Sequence, residues 1–286
     1  MIFDARVKTY DPDRMVLLPT FDMPQLKRQR CIRVYLPADY YSSTKRYPVI
    51  YMHDGQNVFE PSLCIAGMSW QAGEHLDHMQ QQGKTDGIIL VAIDNSPLKN
   101  GLGRSDEYSP WPFNPIAELH CWGDTRQTLG GEGEAYSAFI VETLKPYIDQ
   151  HYRTLHQREY NTIAGSSMGG LISLYIALRY QTVFGCTGVF SPAFWFAEAD
   201  MSNCIQETPI TAPINIYMDI GTNETSDHTL SYFPNLYLNS AKRFHHQLQE
   251  KDKKISCKLL IEEDAVHSES AWARRFPVMV EQLYCR

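Results

Sequence analysis

Thr162-Ile163-Ala164-Gly165-Ser166-Ser167-Met168-Gly169-Gly170 is the stretch that decides the fold. A short apolar, β-favouring run enters a G-x-S-x-G pattern, residues 165–169, and residues 168–180 beyond it carry helical patterning. A strand that turns directly into a helix folds its backbone tightly, so it needs small residues two positions either side of the turn. Gly165 and Gly169 stand there, and the spacing predicts Ser167 at the turn with its Oγ exposed at the end of a sheet. The first N–H groups of the following helix have no partner within it and favour negative charge nearby, which makes Met168 N–H an expected oxyanion donor.

Outward from this turn, short β-rich runs alternate with longer helical patterns, as in βαβ units around a mostly parallel sheet. Residues 31–36 alternate like a half-exposed edge strand that Pro37 ends, and further strands are predicted at 49–53, 87–94, 162–165, 185–190, 214–220 and 255–261. Several of these are apolar throughout, as strands covered on both faces should be. Helices are expected over 70–82, 136–152, 168–180, 234–250 and 269–284. Residues 95–134, rich in Gly, Pro, aromatic residues and charge, fit neither pattern, and a loop of that length inside a compact domain is usually functional. The expectation is a single α/β domain over 1–286, with an N-terminal extension at 1–30 and an insertion at 95–134 near the site.

A serine hydroxyl is a weak nucleophile and needs a base that is itself oriented by an acid. In a strand–turn–helix context the chain order is Ser, acid, His. Six of the ten histidines precede Ser167, leaving His228, His245, His246 and His267. His245 and His246 sit among polar residues in a helical stretch, and His228 lies in the segment expected to supply the acid. His267 follows the last strand, where a base can lean over the sheet's C-terminal edge. The acid should follow the strand at 214–220, and Glu224, Asp227 and Asp219 all qualify by spacing. A second oxyanion donor is expected from the loop after an earlier strand. Gly55 allows the backbone to turn the Gln56 amide inward, and His53 and Asp54 read as residues that hold this loop by hydrogen bonds. Tyr108, Trp111, Phe113 and Trp122 of the insertion, with Trp195, are expected to line or cover a substrate pocket.

Several chemistries are disfavoured. With 26 basic and 33 acidic side chains the net charge is −7, and no Lys/Arg block appears, so nucleic acid and anionic membranes are poor partners. No run of some 18 uncharged apolar residues occurs, and charges at Asp4, Arg6 and Lys8 fall where a signal peptide needs apolar residues. Seven scattered cysteines without a CxxC read as reduced thiols, so a cytoplasmic location is expected. His75 and His78 share a helix face but lack a third ligand or an HExxH pattern, and residues 130–134 lack the G-K-[ST] ending of a phosphate loop. No cofactor is called for.

Taken together, residues 51–59, 93–95, Arg104 with 106–110, 133–136, 165–170, 191–195, 221–224 and 267–272 resemble the putative esterase family of α/β-hydrolases. That family includes enterochelin esterases and feruloyl and other carbohydrate esterases. The resemblance implies an α/β-hydrolase fold, Ser167 and His267 as nucleophile and base, and Glu224 as acid. The substrate it implies is a small-molecule carboxylic ester, with siderophore and aryl or carbohydrate esters the classes in view. An acyltransferase would use the same residues with an alcohol acceptor, whereas a silent binding module would not need three triad chemistries in order.

Overall fold

The computed structural model describes residues 12–64, 67–113 and 128–284. Among these residues ten strands are formed: β1 (Met15–Met23), β2 (Arg28–Tyr35), β3 (Val49–His53), β4 (Ile89–Ile93), β5 (Pro112–Phe113), β6 (Leu129–Gly130), β7 (Asn161–Ser166), β8 (Cys186–Phe190), β9 (Ile214–Gly221) and β10 (Ile255–Glu262). The helices are α1 (Ala72–Gln81), α2 (Gly103–Glu107), α3 (Gly133–Ala138), α4 (Lys145–His151), α5 (Met168–Arg179), α6 (Glu198–Glu207), α7 (Phe233–Lys251) and α8 (Glu269–Tyr284). β5 and β6 pair with each other, within the stretch 95–134. The other eight strands make one sheet in the order β1-β2-β4-β3-β7-β8-β9-β10, parallel from β4 onward and antiparallel at β1–β2 and β2–β4.

The inner strands are covered on both faces. Along β3, Val49 and Tyr51 pack into one apolar cluster and Ile50 and Met52 into the other, because successive side chains leave a strand on opposite sides. One layer holds α5 and α7, with Leu171, Leu174, Phe233 and Phe244 in its cluster. The opposite layer holds α1 and α8, where Trp70 and Leu76 meet Trp272 and Phe276. α5 is buried from Met168 to Leu178, which explains its apolar, unstriped sequence.

Several elements differ from the sequence reading. β2 is not an edge strand, because β1 pairs along it and takes the edge. The strand β1 is hard to recognise: Pro19 interrupts it where the register shifts between Leu18 and Phe21, and a proline is tolerated only at such an edge irregularity. The helix expected over 136–152 starts at Gly133 and passes through a π-helical stretch, Phe139–Leu144, before α4. Pro146, at the start of α4, has no N–H to continue the regular ladder. α2 and α6 were not anticipated, since neither carries enough apolar residues to show a helical period.

Candidate active site

Ser167 links β7 to α5 with φ 60° and ψ −121°, a left-handed backbone that a non-glycine residue adopts only when its surroundings impose it. They do so on both sides. Ser167 N–H donates to Phe190 O at 2.9 Å, and its carbonyl accepts from Gly170 N and Ala193 N, each at 3.0 Å. A Cβ on Gly165 would lie 2.9 Å from His53 Cδ2 and 3.0 Å from the Gly169 carbonyl, so the turn closes only because that atom is absent. Met168 begins α5, and its N–H therefore has no acceptor inside the helix.

His267 stands between β10 and α8, with Nδ1 2.7 Å from Glu224 Oε2. The loop after β9 reaches it because Gly221 has no side chain: a Cβ there would sit 2.3 Å from Ala265 O. Glu224 is fully buried. Burial alone would raise its carboxyl, but the bonds and charges from His267, Ser191 and Arg275 outweigh that and hold it below the usual carboxylate range. The other two acids that qualified by spacing go elsewhere. Asp219 Oδ1 meets Arg275 Nη1 at 3.0 Å and Oδ2 accepts from Tyr217 at 2.9 Å, while Asp227 accepts from Thr229 N at 2.8 Å. Among the histidines, His228 is exposed, His245 Nε2 lies 3.2 Å from Cys257 O, and His246 pairs with Glu250.

The loop after β3 approaches the Ser167 turn from the other side. Asp54 takes a left-handed φ of 56° and leads into a single 3-10 turn, Gly55–Asn57. Gly55 lies against β4, where a Cβ would come within 2.8 Å of the Ala92 and Asp94 backbone. The Asp54 carboxylate accepts Arg104 Nε at 2.7 Å, Arg104 Nη2 at 2.8 Å and Asn95 Nδ2 at 2.7 Å. Burial opposes its charge, but Arg104 and Asn95 keep the carboxyl below its usual range. The same Arg104 Nη2 donates to Ser166 O at 3.2 Å, so one guanidinium ties this loop to the residue before Ser167. His53 Nδ1 lies 2.9 Å from Tyr136 Oη, and burial pushes the imidazole down to about 3, leaving it neutral.

The family model described as Putative esterase matches residues 24–283. The chain belongs to this esterase family. It is a carboxylic-ester hydrolase of α/β-hydrolase fold. Uncharacterized protein YbbA of Bacillus subtilis is 27% identical over 257 residues, which span 89% of this chain and 92% of YbbA. Among solved structures, the BES protein from Bacillus cereus superposes with a TM-score of 0.75 at 17% identity, covering 96% of this chain and 97% of its own. Siderophore hydrolase EstA from Aspergillus nidulans superposes with a TM-score of 0.70 at 16% identity, covering 94% and 95%.

The aromatic residues of the esterase divide between support and site. Tyr108, expected in the pocket, is fully buried and its hydroxyl accepts Asp54 N–H at 3.0 Å, so it underpins the β3 loop instead of presenting surface. Trp111 packs edge-on against Tyr175 of α5, their centroids 5.5 Å apart. Phe113 stacks on Phe196, and Trp122 lies outside the described residues. Trp195 packs on Tyr237, whose ring is 5.0 Å from His267. Tyr237, beside His267, is a candidate that the sequence reading does not single out. It comes from α7 fully buried, its hydroxyl 2.6 Å from Ser226 Oγ and its ring against the His267 imidazole. An aromatic residue on the buried stripe of a helix carries no sequence mark of what its hydroxyl touches.

Proposed function

We propose that this esterase works by two-step acyl transfer, with Ser167 as nucleophile, His267 as base and Glu224 as the acid that orients and stabilises the imidazolium. The observation that carries the reading is the 2.7 Å bond from Glu224 to His267 Nδ1 at the sheet edge where the strained Ser167 turn stands. With Nδ1 held by the carboxylate, Nε2 is the ring atom left to take the Ser167 proton and return it to the leaving alcohol. The Met168 and Gln56 amides, each in the first turn of a helical segment, then stabilise the tetrahedral oxyanion, and water resolves the acyl-enzyme. Arg104 supports the arrangement by joining the Gln56 loop to the Ser167 turn.

Trp195 beside Tyr237 forms part of an aromatic wall suited to an aryl or sugar ester. The A. nidulans neighbour EstA is a siderophore hydrolase, which adds siderophore esters to the substrates worth testing. A cytoplasmic location agrees with the unpaired buried thiols Cys64, Cys186 and Cys257. The decisive experiment is Ser167→Ala assayed on p-nitrophenyl acetate, feruloyl esters and a catecholate trilactone. Turnover should fall at least about 1,000-fold on every ester cleaved by the parent, and full retention on any of them would remove Ser167 from the mechanism.

A further inference from the structure

Glu224 offers its two oxygens to different neighbourhoods. Oε2 meets His267 Nδ1, while Oε1 accepts from Ser191 Oγ at 2.5 Å, Gly221 N at 2.7 Å and Arg275 Nη2 at 3.4 Å. Ser191 joins these partners. Its Oγ also lies 2.8 Å from Trp272 Nε1 and 3.4 Å from Arg275 Nη2. Indole and guanidinium N–H groups only donate, so the Ser191 oxygen accepts from both and its single proton is left for Glu224. The backbone fixes that geometry: Ser191 is fully buried at φ 42°, and its N–H is shared between Asp219 O at 3.1 Å and Asp219 Oδ1 at 3.0 Å. A buried serine held at positive φ by this many partners is over-determined by its surroundings.

We propose that Ser191, backed by Trp272 and Arg275, is a positioning residue that locks one oxygen of Glu224 so that the other, with its charge, is delivered to His267. The inference rests on the Ser167, His267 and Glu224 reading above and deepens it. The electrostatics point the same way. Arg275 touches two buried carboxyls, and burial pushes Asp219 up to about 7 whereas the bonds from His267 and Ser191 and the Arg275 charge hold Glu224 low. The other titratable groups facing this pair are Tyr217 from β9, Glu262 from β10, Glu269 from α8 and Tyr237 from α7.

Ser191→Gly is the cleanest test, because glycine accepts the positive φ and keeps the backbone donor while losing the hydroxyl with its single methylene. Loss of a donor makes Glu224 more basic, so it holds the imidazolium more tightly and the base is free only at higher pH. For p-nitrophenyl acetate, kcat should fall about 10- to 100-fold with KM nearly unchanged, and the acidic limb of kcat/KM should move up by roughly one pH unit. Trp272→Phe, which keeps a ring but removes the donor behind Ser191, should move the limb the same way by less. A folded Ser191→Gly enzyme with unchanged kcat and limb overturns the proposal. Should that variant fail to fold, an unmoved limb in Trp272→Phe overturns it equally. Ser167→Ala run alongside separates the two readings: full activity there defeats the nucleophile assignment, while an inactive Ser167→Ala beside an unaltered Ser191→Gly defeats only the role of Ser191.

Discussion

Gly165 shows how much of this site is decided by single atoms that are missing. The His53 ring and the Gly169 carbonyl crowd the space a methyl would need, at 2.9 and 3.0 Å. Neither neighbour is the loose end of a flexible chain, since His53 is buried and tied to Tyr136 and Gly169 is helix backbone. Gly165→Ala should therefore cost about 1–3 kcal/mol of stability in urea denaturation. Its kcat should fall further than that loss implies, because the displaced strand end carries Ser167. The G-x-S-x-G spacing made this residue legible. By contrast, nothing in the residues around position 191 announced that a serine would hold the second oxygen of Glu224.

Between elements, the important link is Arg104, on the short helix α2. It joins the loop after β3 to the end of β7, with its guanidinium against Asp54 and Ser166 O. Truncating it strands a buried carboxylate, so Arg104→Met should destabilise the protein by about 3–5 kcal/mol and lower kcat as the Gln56 loop loses its anchor. Adding Asp54→Asn to that variant removes the stranded charge, and the double variant should regain part of the stability in the same urea titration. The parallel strands and α5 were readable because continuous apolar runs and a one-residue strand-to-helix turn have few other solutions. α2 was not readable: a five-residue helix has too short a period to see, and its position depends on an ion pair with residue 54, fifty positions earlier.

For the whole molecule, buried titratable groups set opposing pH dependences. His53, lowered from 6.5 to about 3, leaves the folded protein without a proton that the unfolded chain binds, so its contribution to stability is lost as pH falls below about 6.5. His75, lowered by burial to about 4, acts in the same direction. Asp219, raised from 3.8 to about 7, does the reverse: the folded protein keeps a proton the unfolded chain has released, and stability is lost as pH rises from about 4 to 7. Between about pH 4 and 6.5, Asp219→Asn should steepen the rise of stability with pH by up to about 1.4 kcal/mol per unit, and His53→Asn should flatten it by a similar amount. Urea midpoints measured across that range check both signs.

The sequence by itself determined the class of fold and the glycine-flanked turn at Ser167, and it narrowed the candidates for a base and an acid to a few histidines and carboxylates. Local patterning carries that information, since a parallel strand must be apolar on both faces and a tight strand-to-helix turn must be glycine-flanked. Only the tertiary structure decided which carboxylate meets His267. Asp219, Glu224 and Asp227 lie within nine residues of one another, and the choice follows from Gly221 letting two loops touch and from Arg275, Ser191 and Tyr217 occupying the remaining oxygens of Glu224 and Asp219. It also decided that Tyr108 supports the β3 loop and that Tyr237, from a distant helix, packs against His267. Those outcomes depend on which surfaces meet across the sheet, and no stretch of chain records its neighbours there.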